Sequence, residues 1–160
     1  EDNKDTAEPA KVMKHVEWYA QYFSAVTGRQ VSPDDLILMS EAVYNFQRIF
    51  NLKMGFGRRE HDDIPYRAVG PVTVVEYESR QDRYDTQLVE QHKVDIKDKS
   101  TDEKVALLRE FRESMYEKLK DAVYERRGWT NDGIPTAETV KRLGIDFPEV
   151  LDVLKSHGIG

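Results

Sequence analysis

The sequence predicts a mainly α, multi-helix protein built on long amphipathic helices, and three observations carry that prediction. Apolar residues recur at alternating steps of three and four over three long stretches, the period of one helix face. The composition, 39% hydrophobic and 34% charged, suits helices with one apolar stripe and a broad solvated face. Gly, Pro, Ser and Thr stand where such helices would start and stop. At 160 residues the chain reads as a single helical domain, 1–160.

Residues 1–8 are polar and charged and are expected to fray. Pro9 fits the first position of a helix, where a missing N–H costs nothing. Val12, Val16, Tyr19, Phe23 and Val26 then form one stripe, and Gly28 ends the helix. Ser32-Pro33-Asp34-Asp35 is a second helix start, with a hydroxyl cap, Pro at the first position and two acids on the positive dipole end. Leu36, Met39, Val43, Phe46 and Phe50 give its stripe, broadened by Ile37, Ala42 and Ile49, so this helix is expected to be central. The short link of 29–31 makes the two helices packed neighbours.

Met54-Gly55-Phe56-Gly57 breaks the second helix. The β-branched run VTVVEYE at 72–78, with Val94 and Ile96 as weak partners, points to a marginal small β-hairpin at 72–96 that needs helices beneath it. Residues 79–87 are expected to be an exposed turn or disordered. Ser100 and Glu103 have capping-box spacing. Val105, Leu108, Phe111, Met115, Leu119 and Ala122 continue from them as a long helix of about 27 residues to Arg127. Arg126 and Arg127 place positive charge on its last turn, and Gly128 supplies a left-handed cap. Trp129 is expected to fold back on the helix just ended. Asn131-Asp132-Gly133 is turn chemistry, Thr136 caps a short helix over 136–143, and Pro148 opens another to Ser156.

The net charge of −6 and the mixing of basic with acidic residues argue against a nucleic-acid partner. With no cysteine, the chain can supply neither a disulfide nor a thiolate ligand to zinc or an iron–sulfur cluster. No apolar run approaches the ~18 residues of a membrane span, and no signal-peptide pattern opens the sequence. A cytoplasmic protein without membrane contact is the expectation.

Arg58-Arg59-Glu60-His61-Asp62-Asp63 is the densest set of functional groups. His61, Asp62 and Asp63 could hold a hard metal, or the arginines could clamp an anion. Ion pairs pinning a long loop to neighbouring helices are the more economical reading, because a metal needs ligands from separated segments and a supporting shell. The four histidines, at 15, 61, 92 and 157, are scattered singly, and no phosphate-loop, nucleophile-elbow or zinc-protease motif occurs. Trp18, Tyr19, Tyr22 and Phe23 read as core and lobe-contact residues rather than a base-stacking platform. No catalytic, cofactor-binding or metal residue is assigned. Arg58, Asp62 and Asp63 are the candidates for substrate-channel or anion contact.

A set of motifs is more specific. Ala25-Val26-Thr27-Gly28 closes the first helix and Phe46-Gln47-Arg48-Ile49-Phe50-Asn51-Leu52 the second. Gly55-Phe56, Arg58, Asp62-Asp63 and Pro65 follow, then Arg127-Gly128-Trp129 and Gly133-Ile134-Pro135-Thr136. In that order and spacing the chain resembles the C-terminal helical domain of the tungsten-containing aldehyde:ferredoxin oxidoreductase family, from about residue 15 to 145. A related branch of that family includes the tungsten subunit of class II benzoyl-CoA reductase.

The resemblance implies the C-terminal part of a longer oxidoreductase that turns aldehydes into carboxylates and passes electrons to ferredoxin or another electron-carrier subunit. It implies a tungsten bis-pterin cofactor and a four-iron cluster for the full-length enzyme, none of it held by this chain. Its partners would be the upstream domains of the same enzyme, with an oligomer allowed. This chain would wall the substrate channel and support the cofactor domains, and would be inactive alone. Residues 71–99 depart from the family pattern, being longer and more β-like than its usual linker. The competing reading is a stand-alone helical protein-interaction module with no catalysis.

Overall fold

The computed structural model describes residues 10–160, with side chains from residue 15 onward. The expectations for residues 1–8, for Pro9 and for the Val12 side chain lie outside the described residues. Seven α-helices account for most of what is described: α1 (Ala10–Thr27), α2 (Pro33–Lys53), α3 (Val74–Glu78), α4 (Gln81–Thr86), α5 (Thr101–Arg127), α6 (Ala137–Arg142) and α7 (Pro148–Ser156). No sheet occurs among the described residues, and one isolated bridge joins Trp129 to Pro135. The protein is mainly α, as its periodicity predicts. No helix described is long and apolar enough to cross a membrane. The chain forms two compact units: the chain up to Gly57 with 128–130 and 134–160, and Arg58–Arg127 with 131–133.

In the first unit α2 is central, packed against α1 and α7. Its start is the capping box the sequence predicts: Asp35 N–H donates to Ser32 Oγ (3.1 Å), and Asp35 Oδ2 accepts from Ser32 N–H (2.9 Å). The core gathers Ile49 and Leu52 of α2 with Ile134, Val140, Val150, Val153 and Leu154. The expected α2 stripe is not the buried one. Asn45, Arg48, Ile49 and Leu52 face inward, while Val43, Phe46 and Phe50 of the predicted stripe are exposed. On α1 the buried positions are Ala20 and Ser24, and Tyr19 and Val26 face solvent. Both buried sets keep helical spacing, so periodicity locates the helix but does not choose which of its faces the chain itself covers.

In the second unit α5 runs for 27 residues from a capping box in which Glu103 N–H donates to Ser100 Oγ and Ser100 N–H to Glu103 Oε2. The expected hairpin at 72–96 is replaced by α3, α4 and a π-helical turn over Gln87–Gln91. The reason lies in the apolar spacing. Tyr77, Tyr84 and Leu88, at seven and then four residues apart, bury together with Leu108 of α5, and Thr73 is a cap, its Oγ1 accepting from Glu76 N–H. A strand preference from β-branching yields to this tertiary packing. For the same reason 79–87 is not an exposed turn, since it carries buried Tyr84. On α5, Leu108, Arg109, Lys120 and Tyr124 are buried, whereas Met115 and Leu119 of the predicted stripe are exposed.

One buried polar set gives this unit a pH dependence. Tyr77, fully buried, donates its hydroxyl to Asp85 Oδ1 (2.8 Å), and Lys104 Nζ lies 3.1 Å from the same oxygen. Burial pushes the Asp85 carboxyl up, but hydrogen bonds from Tyr77, Lys104 and Gln81 outweigh it and hold the group below its ordinary value. A carboxylate depressed in the folded state stabilises above its unfolded pKa of about 3.9 and loses that contribution as pH falls through its folded value. The urea midpoint is therefore expected to fall below pH about 4, and to fall less in Asp85→Asn, which has no proton to gain.

Candidate functional site

The segment 58–63 is where the sequence concentrates charge, and in the second unit it lies along α5. Arg59–Asp62 forms a 3-10 turn. Arg59 spans two acids one helical turn apart, with Nη2 at 2.5 Å from Glu117 and Nη1 at 2.7 Å from Asp121, and its guanidinium lies over the Tyr124 ring. These hydrogen bonds, Glu117 foremost, raise the guanidinium pKa further. Lys120 is buried, with Nζ 2.7 Å from Asp63 and 2.8 Å from Glu117. Burial alone would lower its pKa, and the bonds to Asp63 and Glu117 more than reverse that. Glu117 is held below the ordinary carboxylate range by Lys120 and then by Arg59. Tyr124 donates its hydroxyl to Asp62 Oδ2 (2.5 Å), and Tyr116 donates to the Asp62 carbonyl (2.9 Å).

Arg58 takes a different partner. Its Nη1 lies 2.9 Å from Asp132 Oδ2, while the Arg59 backbone N–H donates to the Asp132 carbonyl and Arg59 Nη1 to that of Asn131. All three candidate contact residues thus fall in one network, but each is engaged: Arg58 with Asp132, Asp62 with Tyr124, Asp63 with Lys120. What the arrangement does, as it stands, is fix the segment and the 131–133 turn by charge-assisted bonds. The α5 contribution of Tyr116, Glu117, Lys120, Asp121 and Tyr124 is what the sequence reading missed. Its signal was an acid–base pattern at helical spacing on a face the apolar stripe does not occupy.

The corner over 128–136 forms in the first unit around Trp129. The indole enters a buried slot against α2, where Nε1–H donates to Asn45 Oδ1 (2.7 Å), Tyr44 stacks at 6.0 Å and 11°, and the Arg48 guanidinium lies 4.8 Å from the ring centre. A buried indole N–H needs an acceptor, and fully buried Asn45 is the one α2 offers. Gly128 has φ +67, and a Cβ there would collide with Thr139 Oγ1, which donates to the Gly128 carbonyl at 2.7 Å. Gly128→Ala is expected to cost about 2 kcal/mol by urea denaturation, from left-handed strain and loss of this bond.

The chain offers no thiolate to an iron–sulfur cluster, since it has no cysteine. No group of three or more His, Asp or Glu side chains among the described residues could hold an ion. The described residues thus give a helical protein with one charge-assisted network in the second unit and one indole-filled corner in the first. A family model described as "Aldehyde ferredoxin oxidoreductase, domains 2 & 3" matches residues 5–145, and the chain belongs to that family. No curated protein and no solved structure matches it significantly.

Proposed function

We propose that this chain works as the helical C-terminal portion of a tungsten–pterin, iron–sulfur oxidoreductase that converts aldehydes to carboxylates and delivers electrons to ferredoxin. The observation that carries this reading is the family match across 5–145. Cysteine thiolates for the cluster and contacts for the pterin are assigned to upstream segments, since the residues here do not suit them. The role left to this chain is structural: it walls the substrate channel and supports the cofactor domains. The network of Arg59, Lys120, Glu117 and Tyr124 suits that role, because it holds 58–63 in one geometry. Arg58, Asp62 and Asp63 are the residues of this segment proposed to face substrate or an anionic group.

The test begins with the reading frame that contains residue 1. Codons for a CxxCxxxC set and pterin-binding segments upstream are expected; an initiation codon directly before Glu1 overturns the reading in favour of a free-standing interaction module. In the full-length enzyme, elemental analysis should find tungsten and iron, and aldehyde oxidation should reduce ferredoxin. Activity confined to reduction of an aromatic CoA thioester would move the enzyme to the benzoyl-CoA reductase branch. Ala at Arg58, Asp62 or Asp63 is expected to raise KM, and unchanged kinetics would remove those residues from the channel.

A further inference from the structure

The two halves of α5 hold their neighbours by different means. In the first half, Leu108 packs with Tyr77, Tyr84 and Leu88, and Val105 and Phe111 border that core. In the second half, Tyr116, Lys120 and Tyr124 stand at steps of four and set three donors on one face of the helix. All three meet the Asp62-Asp63 pair. Tyr116 bonds the Asp62 carbonyl, Tyr124 the Asp62 carboxylate and Lys120 the Asp63 carboxylate. Arg59 closes the clamp from the other side by pairing with Glu117 and Asp121. The segment and the whole of α5 lie within the second unit.

Burial does not back these bonds. No residue from 58 to 68 is buried, and the acids of the clamp are open to water, the Asp63 side chain at 65% and that of Asp121 at 60%. Val69, the next residue, is 3% exposed, and buried Arg109 and Arg112 fasten the chain around it through the Tyr66 and Val69 carbonyls. An exposed ion pair adds little stability, several times less than one buried apolar side chain. Opening the clamp also strands no buried charge. Lys120 keeps Glu117, which lies 2.8 Å away on its own helix.

We propose that residues 58–63 form a strap that α5 holds closed by charge, and that lifts as a unit while the apolar core around Leu108 stays folded. A segment with polar bonds and no buried side chain opens at a fraction of the cost of global unfolding. The purpose of the device rests on the function proposed above, in which Asp62 and Asp63 face the substrate. The closed strap commits both carboxylates to α5, and lifting it releases them from the helix.

The test is hydrogen–deuterium exchange on the full-length protein, read by mass spectrometry on peptides covering 58–63 and 105–111. Exchange of 58–63 is expected to be about tenfold faster in about 1 M NaCl than in about 0.05 M, because salt screens several surface pairs together. The 105–111 peptide should not change. Asp63→Asn removes one charge of the clamp and should speed exchange of 58–63 at low salt by about two- to fivefold. Glu60→Gln, on the same turn with its side chain 74% exposed, should not. Exchange of 58–63 that ignores salt, or that quickens only together with 105–111, overturns the strap. Equal rates in the two variants overturn it as well. Tungsten, iron and aldehyde oxidation measured on the same preparation keep the two ideas apart. Their absence overturns the proposed function and leaves the strap standing, whereas salt-blind exchange in an active, metal-loaded enzyme overturns the strap alone.

Discussion

Trp129→Ala is expected to cost about 3–5 kcal/mol, measured by urea denaturation, because it empties a large buried site against α2. The loss has three parts. The indole volume vanishes from a slot bounded by Tyr44 and Arg48. Asn45, fully buried, loses the donor to its Oδ1 and becomes a buried acceptor without that bond. The Arg48 guanidinium also loses the ring beneath it, a contact that gains strength where water is excluded. Trp129→Phe separates these contributions: it keeps an aromatic ring but not the N–H, and should cost about 1–3 kcal/mol, the range for leaving a buried polar partner unsatisfied. A Trp129→Ala cost below 1 kcal/mol would show that the slot collapses and that the corner is held by its backbone bonds, such as Thr130 N–H to the Ile134 carbonyl.

Leu108→Ala should cost about 3 kcal/mol, within the range measured for a leucine removed from a closed core. Leu108 is fully buried among Tyr77, Tyr84 and Leu88, with Val105 and Phe111 packed at the edge, so neighbours on three short helical segments lose contact together. Leu119→Ala is the informative companion. Leu119 continues the same apolar series along α5, yet it is 60% exposed, and its replacement should change stability by less than about 0.5 kcal/mol. Equal costs at the two positions would mean that α5 buries its whole apolar stripe within this chain.

That pair of expectations also shows how far the sequence could be read. Helix ends were legible to within a residue, because caps are local chemistry: Ser32 with Asp35, Ser100 with Glu103, Thr136, and Pro148 act over four residues or fewer. The class of fold followed from the same signals. The choice of buried face did not, since Val43 and Phe50 have the pattern of core residues and yet are exposed. Nor did the 72–91 segment, where β-branched residues supplied a strand preference and the decisive spacing of Tyr77, Tyr84 and Leu88 was diluted by polar neighbours. In the candidate site, the charge-rich 58–63 segment was visible and pairing was its favoured reading. Its partners on α5 were not named, because they lie more than fifty residues away in sequence.

The way α5 holds residues 66–71 has a bearing on how this protein can change over evolutionary time. Arg109 is buried, lies over the Tyr66 ring at 3.8 Å, and donates to the Tyr66 carbonyl at 3.0 Å, and Arg112 donates to the Val69 carbonyl at 3.0 Å and to Gln87 Oε1 at 2.7 Å. Both guanidinium groups read the main chain of the segment, and every residue type offers a carbonyl. Substitutions at exposed Ala68 can therefore accumulate without moving the segment. Gly70 is the exception, since at φ +148 a Cβ would strike Arg112 Nη1. Lineages of this domain should diverge freely at 68 while inheriting Arg109, Arg112 and Gly70 as a unit. The grip, rather than what is gripped, is what descent would preserve.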